Sequence, residues 1–470
     1  MEWTRSSIKS FLCMIIITFA LCIAAVTSSI NNFITGVALI ILSIVLYFYS
    51  AIILENKNYL GFRSVFSFIW VFTIGLASLR LTNYQTEWEK KTWIYLALSY
   101  LVFNIGIIAG HKIGERILNY FQNNLKFKFG RIIFELKESR LFYVCVFTTL
   151  ISLVCFIINI VIKGWIPFFV SDPAAYVHFY TRFHVFTVAG TIASGLCYYC
   201  IKRQKISKFK QVILYLCILY LVFLMPMLIV SRGTFMCSAL SLTASIFYLN
   251  KKKFSVLVLC IVVMFGVYEL GSVARSYSSS ALEEFFEPAE IIIGPNDGEN
   301  NSNEGIEPNL SFKLPGKVAF VYSYLTVGHD NFNEAVKNAT EYTYGIRQLT
   351  PFNVILRNDK IDSIVENGEN YLVRPHLTTI NLIGQAYYDG RGIAIVILVC
   401  LWAAVFGAIE SIYLKRKAPF ALLALGNALT PVALCFFESW MSIFSFWLLW
   451  GTALLMCICA SISVIPKKNN

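Results

Sequence analysis

Six arginines carry the first chemical signal: Arg182, Arg232, Arg275, Arg347, Arg374 and Arg391 all lie between or just beyond apolar stretches, outside the lysine-rich loops. A guanidinium is planar, keeps its charge and grips a phosphate with two parallel donors, so such a set fits a phosphate or pyrophosphate better than a diffuse surface charge would. Proton carriers lie near them in the sequence. His329 and Asp330 stand together in "VGHDN", His376 follows Arg374 and Pro375, Asp389 precedes Gly390, and Glu269 lies six residues before Arg275. Phosphate-binding cations beside imidazole and carboxylate groups suit a transfer reaction in which a phosphate leaves and a hydroxyl is deprotonated. The sequence favours a solvated turn for "VGHDN" and an interfacial charge for Glu438.

Other chemistries have no motif here. There is no Walker-type loop, dinucleotide glycine pattern, zinc motif or nucleophile elbow, so neither a metal nor a cofactor is expected and the substrate must bring its own activation. Cys197 and Cys200 have the spacing of a redox or metal pair, but they stand inside an apolar stretch without a second pair or a nearby histidine. All thirteen cysteines fall in such stretches and read as small packing residues.

The elements that must position these residues are membrane helices. The chain of 470 residues is 57% hydrophobic and 14% charged, far below the charge of a soluble domain. Apolar stretches near the ~20 residues needed to cross a bilayer occur at 10–29, 33–54, 64–81, 92–111, 141–162, 185–201, 211–230, 234–249, 254–272, 391–413, 418–437 and 441–462. The fold class is therefore an all-α polytopic membrane protein with about twelve transmembrane helices. Alternate connections hold twenty-four lysines and arginines against six in the remaining short loops, which sets both termini in the cytoplasm. The net charge of +12 is then mainly a topology signal, and no basic module with exposed aromatics suggests nucleic acid. By this count the turn holding "SRG" (231–233) faces outward, where the topology rule disfavours a basic residue, so Arg232 needs another reason to be there.

The same count divides the chain into helices one to nine (1–272), one large extracytoplasmic loop (273–390) and helices ten to twelve (391–470). Within the loop, 294–309 is almost devoid of apolar residues, 317–339 has helix-like apolar spacing, and 376–390 reads as an amphipathic helix ending at Gly390.

Four stretches carry a family likeness: "GWIPFF" (164–169), "SRG" (231–233), "YTYGIRQLTPF" (342–352) and "TTINLIGQAYYDGRGI" (378–393). With the helix plan, they resemble the bacterial oligosaccharide repeat unit polymerases, the O-antigen polymerase or Wzy-type family. In the last stretch Thr379, Tyr388, Asp389, Gly390 and Gly392 match the family's habit, but the phenylalanine expected after Asp389 is missing. The resemblance implies a glycosyltransferase of the bacterial plasma membrane with its site facing outward. It would join undecaprenyl-pyrophosphate-linked oligosaccharides into an O-antigen, capsule or exopolysaccharide, in the company of a flippase and a chain-length regulator. On that reading Arg232, Arg275, Arg347 and Arg374 hold the leaving pyrophosphate, and His376, His329 or Asp330 takes the proton from the acceptor hydroxyl.

Two other readings compete. An O-antigen ligase shares the bundle and the large outer loop but transfers a finished glycan to lipid A core. A flippase or transporter of lipid-linked sugars would instead show repeated halves and polar residues at mid-membrane; neither repeated halves nor charged residues at mid-helix are visible. The large lipid-linked glycosyltransferases want acidic residues in the first outer loop, where "TSSINN" (27–32) has none.

Overall fold

The structure, a computed structural model of the chain, describes residues 5–28, 31–82, 84–121, 127–129, 132–134, 136–170, 178–179, 181–250, 254–262, 290–293, 310–313, 316–359, 361, 363, 371–374 and 377–464. Glu269, Arg275 and His376 lie outside them, as does the 294–309 stretch.

Each expected span meets a helix. In chain order they are α1 (Arg5–Thr27), α2 (Asn32–Tyr49, extended by a π turn at Ser50–Leu54), α3 (Phe62–Ser78), α4 (Lys90–Phe121), α5 (Glu138–Lys163), α6 (His184–Arg203), α7 (Lys208–Leu228), α8 (Arg232–Leu249), α9 (254–262), α10 (Gly316–Asn338), α11 (Thr350–Leu356), α12 (Gly384–Arg416), α13 (Pro419–Ala433) and α14 (Phe444–Ser461). Among the described residues seven helices, α2, α4, α5, α6, α7, α12 and α14, are long and apolar enough to cross a membrane; Met14–Thr27, α3 and α13 are shorter apolar helices. Apolar side chains stand exposed along these helices, among them Ile34 and Ile41 on α2 and Phe147 and Val161 on α5. A surface of that kind is stable against lipid, not water. Among the described residues five short strands interrupt the helical plan: β1 (Phe127–Phe129), β2 (Ile132–Phe134) and β5 (Ile462–Val464) form one antiparallel sheet, and β3 (Glu290–Ile293) pairs with β4 (Leu310–Lys313).

The chain forms two compact units. The first holds Met1–Ile108, Ala281–Val405 and Pro431–Ile443; the second holds Ala109–Ser280, Phe406–Thr430 and Phe444–Asn470.

In the first unit α2 and α3 make the main helix pair, and their backbones touch at two glycines. A Cβ on Gly36 would stand 2.8 Å from the Gly75 carbonyl, and one on Gly75 would stand 3.0 Å from the Gly36 carbonyl. Such small-residue crossings suit a medium in which dispersion, not water exclusion, drives helix pairing. The Glu55 carboxylate accepts from the Arg63 and Ser64 N–H groups, placing negative charge on the orphan donors at the start of α3. Helix α10 packs across α3.

In the second unit Gly195 of α6 meets Ser241 of α8, and the Ser152 hydroxyl of α5 donates to the Thr187 carbonyl of α6 at 2.7 Å. Helix α5 ends at Gly164, whose φ of 76° is the left-handed cap that a glycine adopts without a Cβ penalty.

Two expectations change. "VGHDN" is the middle of α10, not a loop, because its polar residues find partners on three neighbouring segments. The 376–390 stretch does not form one helix: 377–383 is irregular, and helix begins at Gly384 and runs to Arg416 across a break at Gly390 and Arg391. Arg391 there has φ 55°, a conformation that costs a non-glycine residue.

Candidate functional site

The first unit contains two polar centres. One is built on α10, where His329, Asp330, Asn331 and Asn333 are all buried to 1% exposure or less. Asn381 Nδ2 donates to His329 Nδ1 at 3.0 Å, so the ring proton sits on Nε2, 2.9 Å from Thr73 Oγ1. Thr73 in turn donates to the Ile69 carbonyl. Burial pushes the imidazole down to about 3 and keeps it neutral. Asp330 accepts from Trp88 Nε1 and Gln85 Nε2, both at 2.9 Å, and burial raises its carboxyl to about 7 against the opposing pull of those donors and of Arg80.

The two asparagines tie the surrounding chain to this helix. Asn331 Nδ2 donates to the Leu377 and Thr379 carbonyls and its Oδ1 accepts from Val373 N, while Asn333 Oδ1 accepts from Glu89 N and Thr92 Oγ1 at the start of α4. One turn of α10 therefore fixes α3, the 85–92 segment and the 373–381 segment together. A buried, satisfied network of this kind specifies a single arrangement.

The second centre is a cradle held by Asp389, itself 3% exposed. Its Oδ1 accepts from Thr343 Oγ1 at 2.6 Å, Gly345 N at 3.0 Å and Arg347 N at 3.2 Å, and its Oδ2 accepts from Gln348 Nε2 at 2.9 Å. The turn needs left-handed φ at Tyr344 and Gly345, 48° and 90°, and the carboxylate is the hub that holds it there. With its backbone fixed, Arg347 lays its guanidinium 4.2 Å from the Tyr388 ring centre and donates from Nη1 to Gln385 Oε1 at 3.2 Å. Burial lowers the pKa of Arg347, with Tyr388 and Asp389 opposing that shift. Arg391 stacks similarly over Tyr342 at 4.3 Å. Tyr371 stacks on Tyr388, which brings the Tyr371–Arg374 piece to the same rim, where Arg374 is exposed.

From this cradle a narrow crevice opens, lined by Gln348, Leu382, Ala386, Leu398, Val399, Trp402, Ser439 and Met441. Its polar end is the cradle's own Gln348. Its apolar walls are Ala386, Leu398, Val399 and Trp402 of α12, one of the membrane-length helices, with Leu382 and Met441.

Of the residues expected from sequence, His329, Asp330, Arg347 and Arg374 belong to this unit, the first two sealed inside α10 and the last two at the cradle. Arg232 belongs to the second unit. It is the first residue of α8, following Val230 at φ 52° and the Ser231 cap, whose Oγ accepts from Thr234 N at 3.3 Å. Arg80 carried no expectation beyond its place in the charge count. It stands in a left-handed turn with φ 49°, and the charges of Asp330 and Glu87 offset the cost of its burial. Asn331, Asn333, Gln85 and Trp88 gave no sequence signal, since single amides and indoles acquire meaning only from their partners.

In the second unit the Cys145 thiol lies beside those of Cys197 and Cys200, and the Cys217 thiol beside that of Cys197, neighbours that the sequence does not put near one another. The twelve described cysteines are free, Cys435 lies in a turn just past α13, and no group of three or more ligating side chains among the described residues is arranged to hold a metal.

Comparison with protein-family models, curated proteins and solved structures finds no match to this chain.

Proposed function

We propose that the chain is a polymerase that joins oligosaccharide repeat units carried on undecaprenyl pyrophosphate, acting at the outer side of a bacterial plasma membrane. In this reading it crosses the membrane twelve times with both termini inside, and the 273–390 segment lies outside. The observation that carries the reading is the Asp389-held cradle: a buried arginine fixed by its own backbone, next in the chain to Gln348, which lines a crevice together with apolar residues of α12. A polyprenyl pyrophosphate has that division of charge and grease. The four stretches that resemble the polymerase family include both strands of the cradle, 342–352 and 378–393.

The chemistry follows from the donor. The acceptor hydroxyl attacks the anomeric carbon of a lipid-linked sugar, the carbon–oxygen bond to pyrophosphate breaks, and its electron pair leaves with the phosphate. Arg347, supported by Arg374 and Arg391 on the same rim, binds the pyrophosphate and neutralises the charge that grows as the bond breaks. Arg232 and Arg275 are further pyrophosphate ligands in this proposal. Asp389 positions Arg347. The engaged polar atoms of His329 and Asp330 suit them to holding α10 and its neighbouring segments in place.

The test is glycan length. Deleting the gene from its bacterium should leave surface glycans of a single repeat unit, and returning the wild-type gene should restore long chains on a gel. Long chains in the deletion strain would overturn the reading.

A further inference from the structure

We infer that Glu438 is the group that accepts the proton from the attacking hydroxyl, an inference that rests on the transfer reaction proposed above. Glu438 lies in the turn between α13 and α14, and this turn is held from several sides. Leu382 N donates to the Cys435 carbonyl at 2.7 Å, and Phe437 stacks on Tyr324 with ring centres 5.5 Å apart. The Phe436 carbonyl lies so close to α10 that a Cβ on Gly328 would come within 2.1 Å of it. Further along, Trp440–Ser442 packs against the Ile346–Leu349 turn that carries Arg347, and Ser439 and Met441 line the crevice. Glu438 is thus the residue immediately before the crevice wall, on a backbone that cannot drift.

Its carboxylate is also available. Among the described carboxylates of the first unit, Glu55, Asp330, Glu334 and Asp389 are engaged by hydrogen bonds, and Glu87, Glu89, Glu341 and Asp359 are exposed. Glu438 is half-buried, and its side chain makes no hydrogen bond or ion pair among the described residues. The described ionisable side chains on the elements packed against its turn are Tyr322, Tyr324, His329, Asp330, Glu334 and Lys337 on α10 and Arg347 on its own turn; Tyr324 stacks on Phe437, and the others bond elsewhere. Burial alone pushes the Glu438 carboxyl up to about 7. A shielded, unpaired carboxyl of that acidity is suited to take up a proton near neutral pH, because its affinity for the proton is raised without pairing it to a fixed cation.

The step balances within the transfer. As the oxygen of the acceptor hydroxyl forms its bond to the anomeric carbon, its proton passes to the Glu438 carboxylate, and the bonding pair of the broken bond leaves on pyrophosphate. The protonated carboxyl then returns its proton to water.

The test uses full-length protein reconstituted in lipid vesicles, supplied with lipid-linked repeat units extracted from the deletion strain. Wild-type elongation should rise with pH through about 7. Glu438→Gln should lower elongation about a hundredfold or more at every pH, while binding of undecaprenyl pyrophosphate stays within a factor of about three. If Glu438→Gln does not accumulate, Glu438→Asp carries the test: it should elongate more slowly with a displaced pH midpoint. Wild-type rates and midpoint in whichever variant is assayed overturn the inference. The two levels of the account separate cleanly: wild-type protein that elongates nothing sinks the polymerase reading itself, whereas a fully active Glu438→Gln beside an inactive Arg347→Ala sinks only the assignment of the base.

Discussion

The Asp389 carboxylate binds Arg347 through its backbone N–H, at 3.2 Å, and the guanidinium lies instead over Tyr388. An acid and a base brought this close would ordinarily be expected to pair charge with charge. Here the acid shapes the turn, and the cation rests on Tyr388 one residue before Gln348, which lines the crevice. That division of labour is what makes the cradle suited to an anionic guest.

Asp389→Asn removes the charge that four donors share and reverses the hydrogen-bonding sense of one side of the group. Loss of a buried acceptor on which neutral donors rely costs about 1–3 kcal/mol. The melting temperature of the detergent-solubilised protein should fall, and elongation should fall with it because Arg347 is no longer held. An unchanged melting temperature would show that the turn does not depend on Asp389.

Arg347→Lys keeps the charge but loses the planar fork and the stacking on Tyr388. Stacking of a cation on an aromatic ring contributes about 0.5–2 kcal/mol, and a bidentate grip is lost as well. Affinity for undecaprenyl pyrophosphate should drop about tenfold or more, measured by titration into nanodisc-embedded protein. Equal affinity in the lysine variant would mean that any positive charge suffices.

His329 and Asp330 make opposing contributions to the pH dependence of stability. The imidazole is pushed down to about 3 and the carboxyl up to about 7, both by burial. Between about pH 4 and 6.5 the folded protein carries a proton on Asp330 and none on His329, and the unfolded chain does the reverse. The two slopes therefore cancel in the wild type. His329→Gln leaves the raised carboxyl alone, so stability should fall as pH rises through that window. Asp330→Asn leaves the depressed imidazole alone, so stability should rise with pH there. Each slope approaches about 1.4 kcal/mol per pH unit. Denaturation followed from pH 4 to 7 checks the signs, and slopes of the same sign in both variants would contradict the assignment.

Much of the fold was legible because apolar runs near membrane length announce helices whatever their partners, and each of the twelve expected spans meets one. What escaped was decided by contacts between distant segments. "VGHDN" looked like a turn since Gly, Asp and Asn favour turns locally, yet α3, the 85–92 segment and the 373–381 segment supply partners that keep it helical. The helix expected to end at Gly390 continues, because one glycine interrupts helical geometry without stopping the chain from resuming it. Arg347 was visible as one arginine of a candidate phosphate-binding set, whereas the role of Asp389 beneath it required knowing that residues 343 to 348 fold over it. Glu438 resembled any interfacial carboxylate, as burial and the lack of a partner leave no trace in a sequence.

Arg232 stands at the first turn of α8, after a residue in left-handed conformation and a serine cap. If it binds pyrophosphate, Arg232→Ala should accumulate to wild-type levels yet yield single-repeat glycans, and Arg232→Lys should restore part of the chain length. Gel analysis of glycans from cells carrying each variant decides it, with normal chains from Arg232→Ala removing this residue from the site.

The most direct measurement of the central claim is the binding of undecaprenyl pyrophosphate to the purified protein in nanodiscs, compared with undecaprenol and with the Arg347→Ala variant. The account requires tight binding of the pyrophosphate form, at least tenfold weaker binding of the alcohol, and loss of that preference in Arg347→Ala. Equal binding of pyrophosphate and alcohol, or an unaltered preference in Arg347→Ala, would contradict it.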